Sequence, residues 1–297
     1  MKTLHCAICK QKEKVKLLYK ATFDRGKIND NTFSARRTPD RMHYQFLKCL
    51  RCGLIFSSPI FDNNKITDFY SKSTFDYDSE AKFLKKTYGS YLKEVVKGLK
   101  GKLSLLDIGC GNGFFLEEAM NFGVKDVYGV EPGRKTVEKA SKIIQKRIKV
   151  AMYDEKLFPK GKFSIITCFH TLDHIVNPNK FLKGVISNLK KNGKILFIVH
   201  DTKGMSVKLF GEKSPIFDIE HIYLFDKKSL AQIFKRAGFK NIQVFSIKNT
   251  YPLSYWFRMV PLPWSLKSVV EKLIFNTFLG DIPFTIPAGN IGIIAQK

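Results

Sequence analysis

The run Leu103-Ser104-Leu105-Leu106-Asp107-Ile108-Gly109-Cys110-Gly111-Asn112-Gly113 restricts the fold of this chain more than any other stretch. A short apolar segment ends in an acid and three glycines at alternate positions. It continues into Phe114-Phe115-Leu116-Glu117-Glu118-Ala119-Met120, which has the pattern of a helix. This order predicts a buried strand, a tight glycine loop and a helix N-terminus, an arrangement in which backbone can approach a nucleotide-like ligand. The spacing Asp-x-Gly-x-Gly-x-Gly differs from the Gly-x-Gly-x-x-Gly of dinucleotide sites, whose last glycine would fall on Phe114. A second acid, Glu131, closes Asp126-Val127-Tyr128-Gly129-Val130-Glu131, 18 residues beyond Gly113. There, at the end of the next strand, a carboxylate can accept both hydroxyls of a ribose.

Loop and acid together resemble the S-adenosylmethionine site of class I methyltransferases. Phe163-Ser164-Ile165-Ile166-Thr167-Cys168 reads as a buried strand. The segment Phe169-His170-Thr171-Leu172-Asp173-His174-Ile175-Val176-Asn177-Pro178 after it is similar to the family's acid-His-x-x-x-Pro helix start, with Asp173 where Glu is usual. Leu189-Lys190-Lys191-Asn192-Gly193-Lys194 resembles the family's turn into strand five, Ile195–Val199. Glu220-His221-Ile222-Tyr223-Leu224-Phe225 precedes a helix expected from Ser229 to Ala237. The resemblance implies an α/β fold with a seven-stranded, doubly wound, Rossmann-like sheet in residues 101–297. Six strands are expected by residue 248, and the seventh, Ile291–Ala295, should run antiparallel between the fifth and sixth. It also implies S-adenosyl-L-methionine as cofactor, held by Asp107, Gly109, Gly111, Gly113 and Glu131, with Phe169 beside them.

Four of the six cysteines form the pairs Cys6-x-x-Cys9 and Cys49-x-x-Cys52. Each pair can present two thiolates from one tight knuckle, and Gly53 supplies the turn freedom the second knuckle needs. Four soft ligands at this spacing point to one structural zinc. The 39 residues between the pairs, with Arg36, Arg37 and Arg41, must bulge out or form a hairpin. The run Cys49-Leu50-Arg51-Cys52-Gly53-Leu54 resembles the zinc ribbon of methyltransferases that act on cell-surface polysaccharides and natural products, the sugar C-methyltransferases among them. Residues 1–60 are therefore expected to form a zinc ribbon. Residues 61–100 should be a helical lid or connector, since Phe83, Leu84, Tyr88, Tyr91, Leu92, Val95 and Val96 recur at helical spacing. Between strands six and seven, residues 249–288 read as an aromatic insertion with a helix from Ser265 to Phe278. It serves either as a pocket cap or as an element at a lipid headgroup boundary.

The formal charge is +25, but 42 of the 51 basic residues are Lys and they are spread along every segment. Phosphate-clamping surfaces favour Arg. The excess therefore reads either as a lysine bias of composition or as attraction to anionic substrates or membrane. No uncharged apolar stretch of spanning length and no apolar signal core are present, so a cytoplasmic protein is expected, with peripheral membrane contact as an option.

Oxygen or carbon acceptors must lose a proton, so a general base is expected above the carboxyl ends of the strands. His170, His174, His200 and His221 all fall near that crevice. His221 is the favoured base with Glu220 orienting its ring, because an adjacent Glu-His is the acid/base candidate of the sugar C-methyltransferases that the chain resembles. His174 is expected to cap or brace its helix. The expected acceptor is small or lipid-linked, a glycan or natural-product intermediate. An RNA acceptor, a quinone-type ring and a non-catalytic cofactor-binding scaffold stand as alternatives. The segment Cys168-Phe169-His170-Thr171 lacks the Asn-Pro-Pro-aromatic motif of enzymes that methylate exocyclic nitrogens.

Overall fold

The computed structural model describes residues 1–11, 13–22, 33, 41–72, 78–260 and 277–297. The N-terminal segment forms three short antiparallel strands, β1 (Val15–Tyr19), β2 (Phe46–Cys49) and β3 (Ile55–Ser57). Two helices follow, α1 (Asn63–Lys72) and α2 (Asp78–Val96). Helix α2 turns Leu84, Tyr88, Leu92 and Val95 inward, a spacing of four, four and three that keeps them on one face.

The main domain alternates strands and helices: β4 (Ser104–Ile108), α3 (Phe114–Asn121), β5 (Asp126–Glu131), α4 (Arg134–Glu138), α5 (Lys142–Gln145) and β6 (Ile148–Val150). It continues with β7 (Phe163–Phe169), α6 (Pro178–Asn188), β8 (Leu189–His200), α7 (Met205–Phe210), β9 (Tyr223–Leu224), α8 (Lys227–Ala237), β10 (Lys240–Pro252), α9 (Leu253–Met259) and β11 (Pro283–Gln296). Seven of these strands form one sheet in the order β10-β11-β8-β7-β4-β5-β6. β6, β5, β4, β7 and β8 run parallel, and β11 is antiparallel to both of its neighbours. The seven-stranded, doubly wound sheet and the place of its last strand are as expected. Every residue of β4 is buried, because helices cover both faces of a parallel sheet and leave no polar side.

Local chemistry sets the helix ends. Asn177 accepts a hydrogen bond from the Lys180 amide at 3.1 Å, with Pro178 at the first position of α6. Asp226 and Ser229 form a reciprocal capping box on α8, which begins at Lys227, two residues before the expected start.

Three features depart from the sequence reading. The turn expected at 189–194 is instead the bulged start of β8, where Asn192 takes a φ of 64°. Strands six and seven are longer than expected: they extend into the insertion as a paired ribbon, with Asn249 opposite Ile286 and Pro252 opposite Pro283. The hydroxyls of Thr250 and Thr285 meet across it at 2.8 Å. Most of the helix expected from Ser265, like Arg36 and Arg37, lies outside the described residues. The third is β9, a strand absent from the sequence reading, which lies outside the main sheet and pairs with β3, placing Tyr223 opposite Phe56 and Leu224 opposite Ile55. The N-terminal sheet is thus β1-β2-β3-β9, completed by a strand of the main domain.

Candidate cofactor and acceptor site

The loop after β4 holds Gly109, Gly111 and Gly113 at φ values of 75°, 54° and 74°, a region that L side chains enter only at a cost. The amides of Gly109 and Cys110 donate to the Val130 carbonyl at 2.8 and 3.2 Å, fixing the loop to the end of β5. A Cβ at Gly109 would overlap the Thr171 side chain, and one at Gly113 would overlap Ile144. Glu131 accepts hydrogen bonds from the amides of Gly111 (3.1 Å) and Gly133 (2.9 Å). Burial raises its pKa, and these two amides oppose the rise. Asp107 is buried at the end of β4 and accepts a hydrogen bond from Thr167 Oγ1 at 2.7 Å. Burial pushes its pKa up to about 7 despite the Thr167 hydroxyl, with Glu131 adding to the rise.

Two cavities open beside this loop. The smaller, 120 Å³, is bordered by Gly109, Gly111, Glu131, Met152, Phe169 and Thr171. A glycine cradle with a carboxylate fits the adenosine part of S-adenosylmethionine, and Asp107 borders the neighbouring space where an amino-acid part would lie. The larger cavity, 270 Å³, is walled by Tyr88 of α2, His200 of β8, Asn249 and Tyr251 of β10, Trp256 of α9 and Asn290 of β11. Gly109, Phe169, His170, His174 and Glu220 border both spaces. A group passing from one cavity to the other crosses there. Tyr88 stacks on Phe169 at 4.2 Å, so α2 shapes the junction as well as covering the sheet.

The four histidines converge at the floor of the larger cavity. His200 and His221 have ring centroids 4.7 Å apart, His170 and His200 4.7 Å, and His174 and His221 5.0 Å. On its Nδ1 side the His221 ring is held by the Ile216 carbonyl at 2.7 Å, while Glu220 lies on the cavity wall beside it. His174 lies outside α6, at the end of a short 3₁₀ turn, Leu172–His174, where it stacks on Tyr70 of α1 and shares a 3.0 Å hydrogen bond between its Nδ1 and the Tyr70 hydroxyl. Burial lowers the His174 pKa to about 3, helped by His200. Burial also drives His221 well below the usual histidine value, with His200 adding to the drop and Asp173 opposing it.

The N-terminal strands hold this floor in place. Ser57 donates its backbone amide to the Ile222 carbonyl and its hydroxyl to the His221 carbonyl, both at 2.8 Å. The Ile222 amide donates to the Asp173 carbonyl at 2.8 Å. At the other end of the same strands, the thiols of Cys6, Cys9, Cys49 and Cys52 all lie within 4.8 Å of one another, with Cys6 and Cys52 at 3.4 Å. Sulfurs on a tetrahedral zinc are about 3.8 Å apart, so this donor set suits that ion. Gly53, at φ 81°, donates its amide to the Cys49 carbonyl and closes the second knuckle.

Fold, glycine loop and paired acids together define a class I S-adenosylmethionine-dependent methyltransferase. A family profile described as a methyltransferase domain matches residues 80–244, and the chain belongs to that family. Among curated proteins it is similar to a tRNA U34 carboxymethyltransferase of Campylobacter fetus, 28% identical over 69% of this chain and 79% of that one. A tRNA U34 carboxymethyltransferase of Helicobacter pylori is 28% identical over 59% of this chain and 70% of its own length. Among solved structures, phosphoethanolamine N-methyltransferase 2 of Haemonchus contortus shares the fold, with a TM-score of 0.51 and 16% identity over 82% of this chain and 61% of that chain.

Sequence reasoning identified the loop, both acids and the four histidines. It did not single out Asp173 as the centre of the histidines, nor Tyr70, Tyr88, Asn249 and Asn290 as walls. Asp173 was visible as an unusual residue in a family motif, whereas the wall residues carry no local signal.

Proposed function

We propose that this chain transfers a methyl group from S-adenosylmethionine to an oxygen or carbon of a nucleoside in RNA. The observation that carries the transfer is the junction of the two cavities at Gly109, Phe169 and His170, where a donor over the glycine loop meets an acceptor over the histidines. Support for RNA comes from the tRNA-acting relatives and from the charge of +25. A plain methyl group fits better than a carboxymethyl group. A transferred carboxylate calls for a cationic partner, and among the described residues neither Lys nor Arg borders either cavity, whereas Asp107, Asp218 and Glu220 do.

When bound, the cofactor supplies an electrophilic methyl group. The protein's part is to align the acceptor, exclude water and receive a proton. Glu131 and the glycine loop hold the adenosine, Asp107 faces the amino-acid part, and Phe169 keeps the junction closed to solvent. His221 is the base favoured for the acceptor proton, with Glu220 beside it. One structural zinc on Cys6, Cys9, Cys49 and Cys52 keeps β3, and through it residues 221–222, in position.

A second reading, a small glycan-type acceptor, draws on the buried carboxylates Asp218 and Glu220 at the larger cavity, which suit a hydroxyl-rich ligand. The two are separated by incubating the full chain with methyl-labelled S-adenosylmethionine and either total tRNA or nucleotide-sugar and lipid-linked glycan fractions. Label in tRNA that is lost with His221→Ala, by about 10²–10⁴-fold in turnover with cofactor affinity retained, supports the first reading. Label in a glycan fraction alone selects the second, and label nowhere, with no cofactor binding, ends both.

A further inference from the structure

The carboxylate of Asp173 is fully buried, and among the described residues neither of its oxygens accepts a hydrogen bond. Three imidazole nitrogens surround it at one distance. His174 Nε2 lies 3.9 Å from Oδ1, and His200 Nε2 and His221 Nε2 each lie 3.9 Å from Oδ2. These gaps are too long for hydrogen bonds. They exceed by about half an ångström the ~3.3 Å that separates two donors on a tetrahedral zinc.

The far side of each ring shows which face is turned to the carboxylate. His221 Nδ1 meets the Ile216 carbonyl, which can only accept, so Nδ1 carries the hydrogen and the neutral ring presents the Nε2 lone pair to Asp173. His200 Nδ1 meets Asn290 Oδ1 at 3.0 Å, and His174 Nδ1 meets the Tyr70 hydroxyl at 3.0 Å. Each of the three rings is thus anchored at Nδ1 by an oxygen and turns Nε2 toward the carboxylate, the arrangement in which outer partners orient metal-binding histidines. When the Tyr70 hydroxyl accepts, His174 Nε2 is free to ligate in the same way as His221 Nε2. Lone pairs facing a buried carboxylate repel one another unless a cation lies between them.

We propose that Asp173, His174 and His221 bind a divalent first-row transition ion, with His200 as a further ligand, at the floor of the larger cavity. The mixed imidazole and carboxylate donors suit zinc, iron, cobalt or manganese more than magnesium or calcium. The four converging cysteines are a separate, all-sulfur centre. The ion site does not depend on which acceptor is used. With the ion bound, His221 is a ligand and the proton-accepting role passes to Glu220, which borders the same cavity.

Cobalt(II) titration of the purified, metal-depleted full chain distinguishes the two centres. The expected result is uptake of two equivalents: one with intense thiolate-to-cobalt charge transfer in the near ultraviolet, the other with weak visible bands and no thiolate signature. Asp173→Asn should abolish only the second signal and Cys49→Ser only the first, with cofactor titration of Asp173→Asn reporting that the fold persists. Uptake of a single, thiolate-bound equivalent by the wild-type chain overturns the proposal, and this holds even if the Asp173 variant fails to fold. Two equivalents in a folded Asp173→Asn chain do the same, leaving the cluster as a proton relay. A failure of the methyltransferase reading would appear separately, as loss of cofactor binding in the wild-type chain.

Discussion

Asp107 holds its proton to about pH 7 in the folded chain, against an ordinary carboxylate value of 3.8. The folded state therefore binds more protons than the unfolded state between those values. The contribution of this residue to stability is complete below about pH 4 and is lost as pH rises through 7. Cofactor binding should show the opposite trend. The cationic ammonium of S-adenosylmethionine favours the carboxylate form, so the cofactor-free site has to give up a proton before it binds well. Calorimetric titrations at pH 7.5, 6.5 and 5.5 are expected to show affinity falling toward tenfold per pH unit at the acid end. Asp107→Asn should bind weakly at every pH, with a nearly flat profile. A wild-type profile as flat as the variant's would show that Asp107 does not face the charged end of the cofactor.

At the scale of elements, β3 is the link between the cysteine knuckles and the floor of the larger cavity. It pairs with β2, which ends at Cys49, and its last residue, Ser57, bonds to the backbone of His221 and Ile222. With zinc on the four cysteines as proposed, Cys49→Ser should abolish metal binding at the N-terminal knuckles and loosen β2 and β3, since a small metal-bound module draws its stability from the metal. Through Ser57 the loss reaches the backbone of His221 and Ile222. Turnover is therefore expected to fall by at least tenfold while cofactor affinity changes less than threefold, measured on the same preparation with its metal content. Equal losses in both would place the cysteine module under the cofactor instead. This coupling was not legible in the sequence. Strands β4, β5, β7 and β8 announce themselves as apolar runs, each followed by a turn or acid, and the glycine loop fixes their order. Tyr223–Leu224 is only two residues long and has no periodicity, so its partner across the molecule cannot be read locally. Asp173 likewise sits in a one-turn helix, and its meaning depends on histidines that arrive from β8 and from the loop before β9. The insertion misled for a related reason: its first and last residues extend existing strands, and pairing is a property of both partners.

For the molecule as a whole, an excess of 25 positive charges sets how it meets polyanions before any pocket is involved. No helix among the described residues is long and apolar enough to cross a membrane. If RNA is the acceptor, three to five phosphates neutralised by lysines predict an affinity that falls roughly ten- to a hundredfold between 50 and 200 mM salt. Filter binding with tRNA, repeated with an unrelated RNA of equal length, tests this. A steep slope shared by both, with preference for tRNA only in turnover, is expected of a basic surface that gathers substrate for a small selective cavity. A slope near zero would make the lysine excess a matter of composition.

The pairing of Phe56 with Tyr223 also bears on how the chain is made. A ribosome adding about 5–20 residues per second needs on the order of 8–30 s to travel from one to the other. Throughout that interval the nascent N-terminal sheet keeps the edge of β3 open, with its backbone donors and acceptors bare and apolar Ile55 and Phe56 beside them. Early segments of this protein therefore wait, unsealed, for a strand not yet translated.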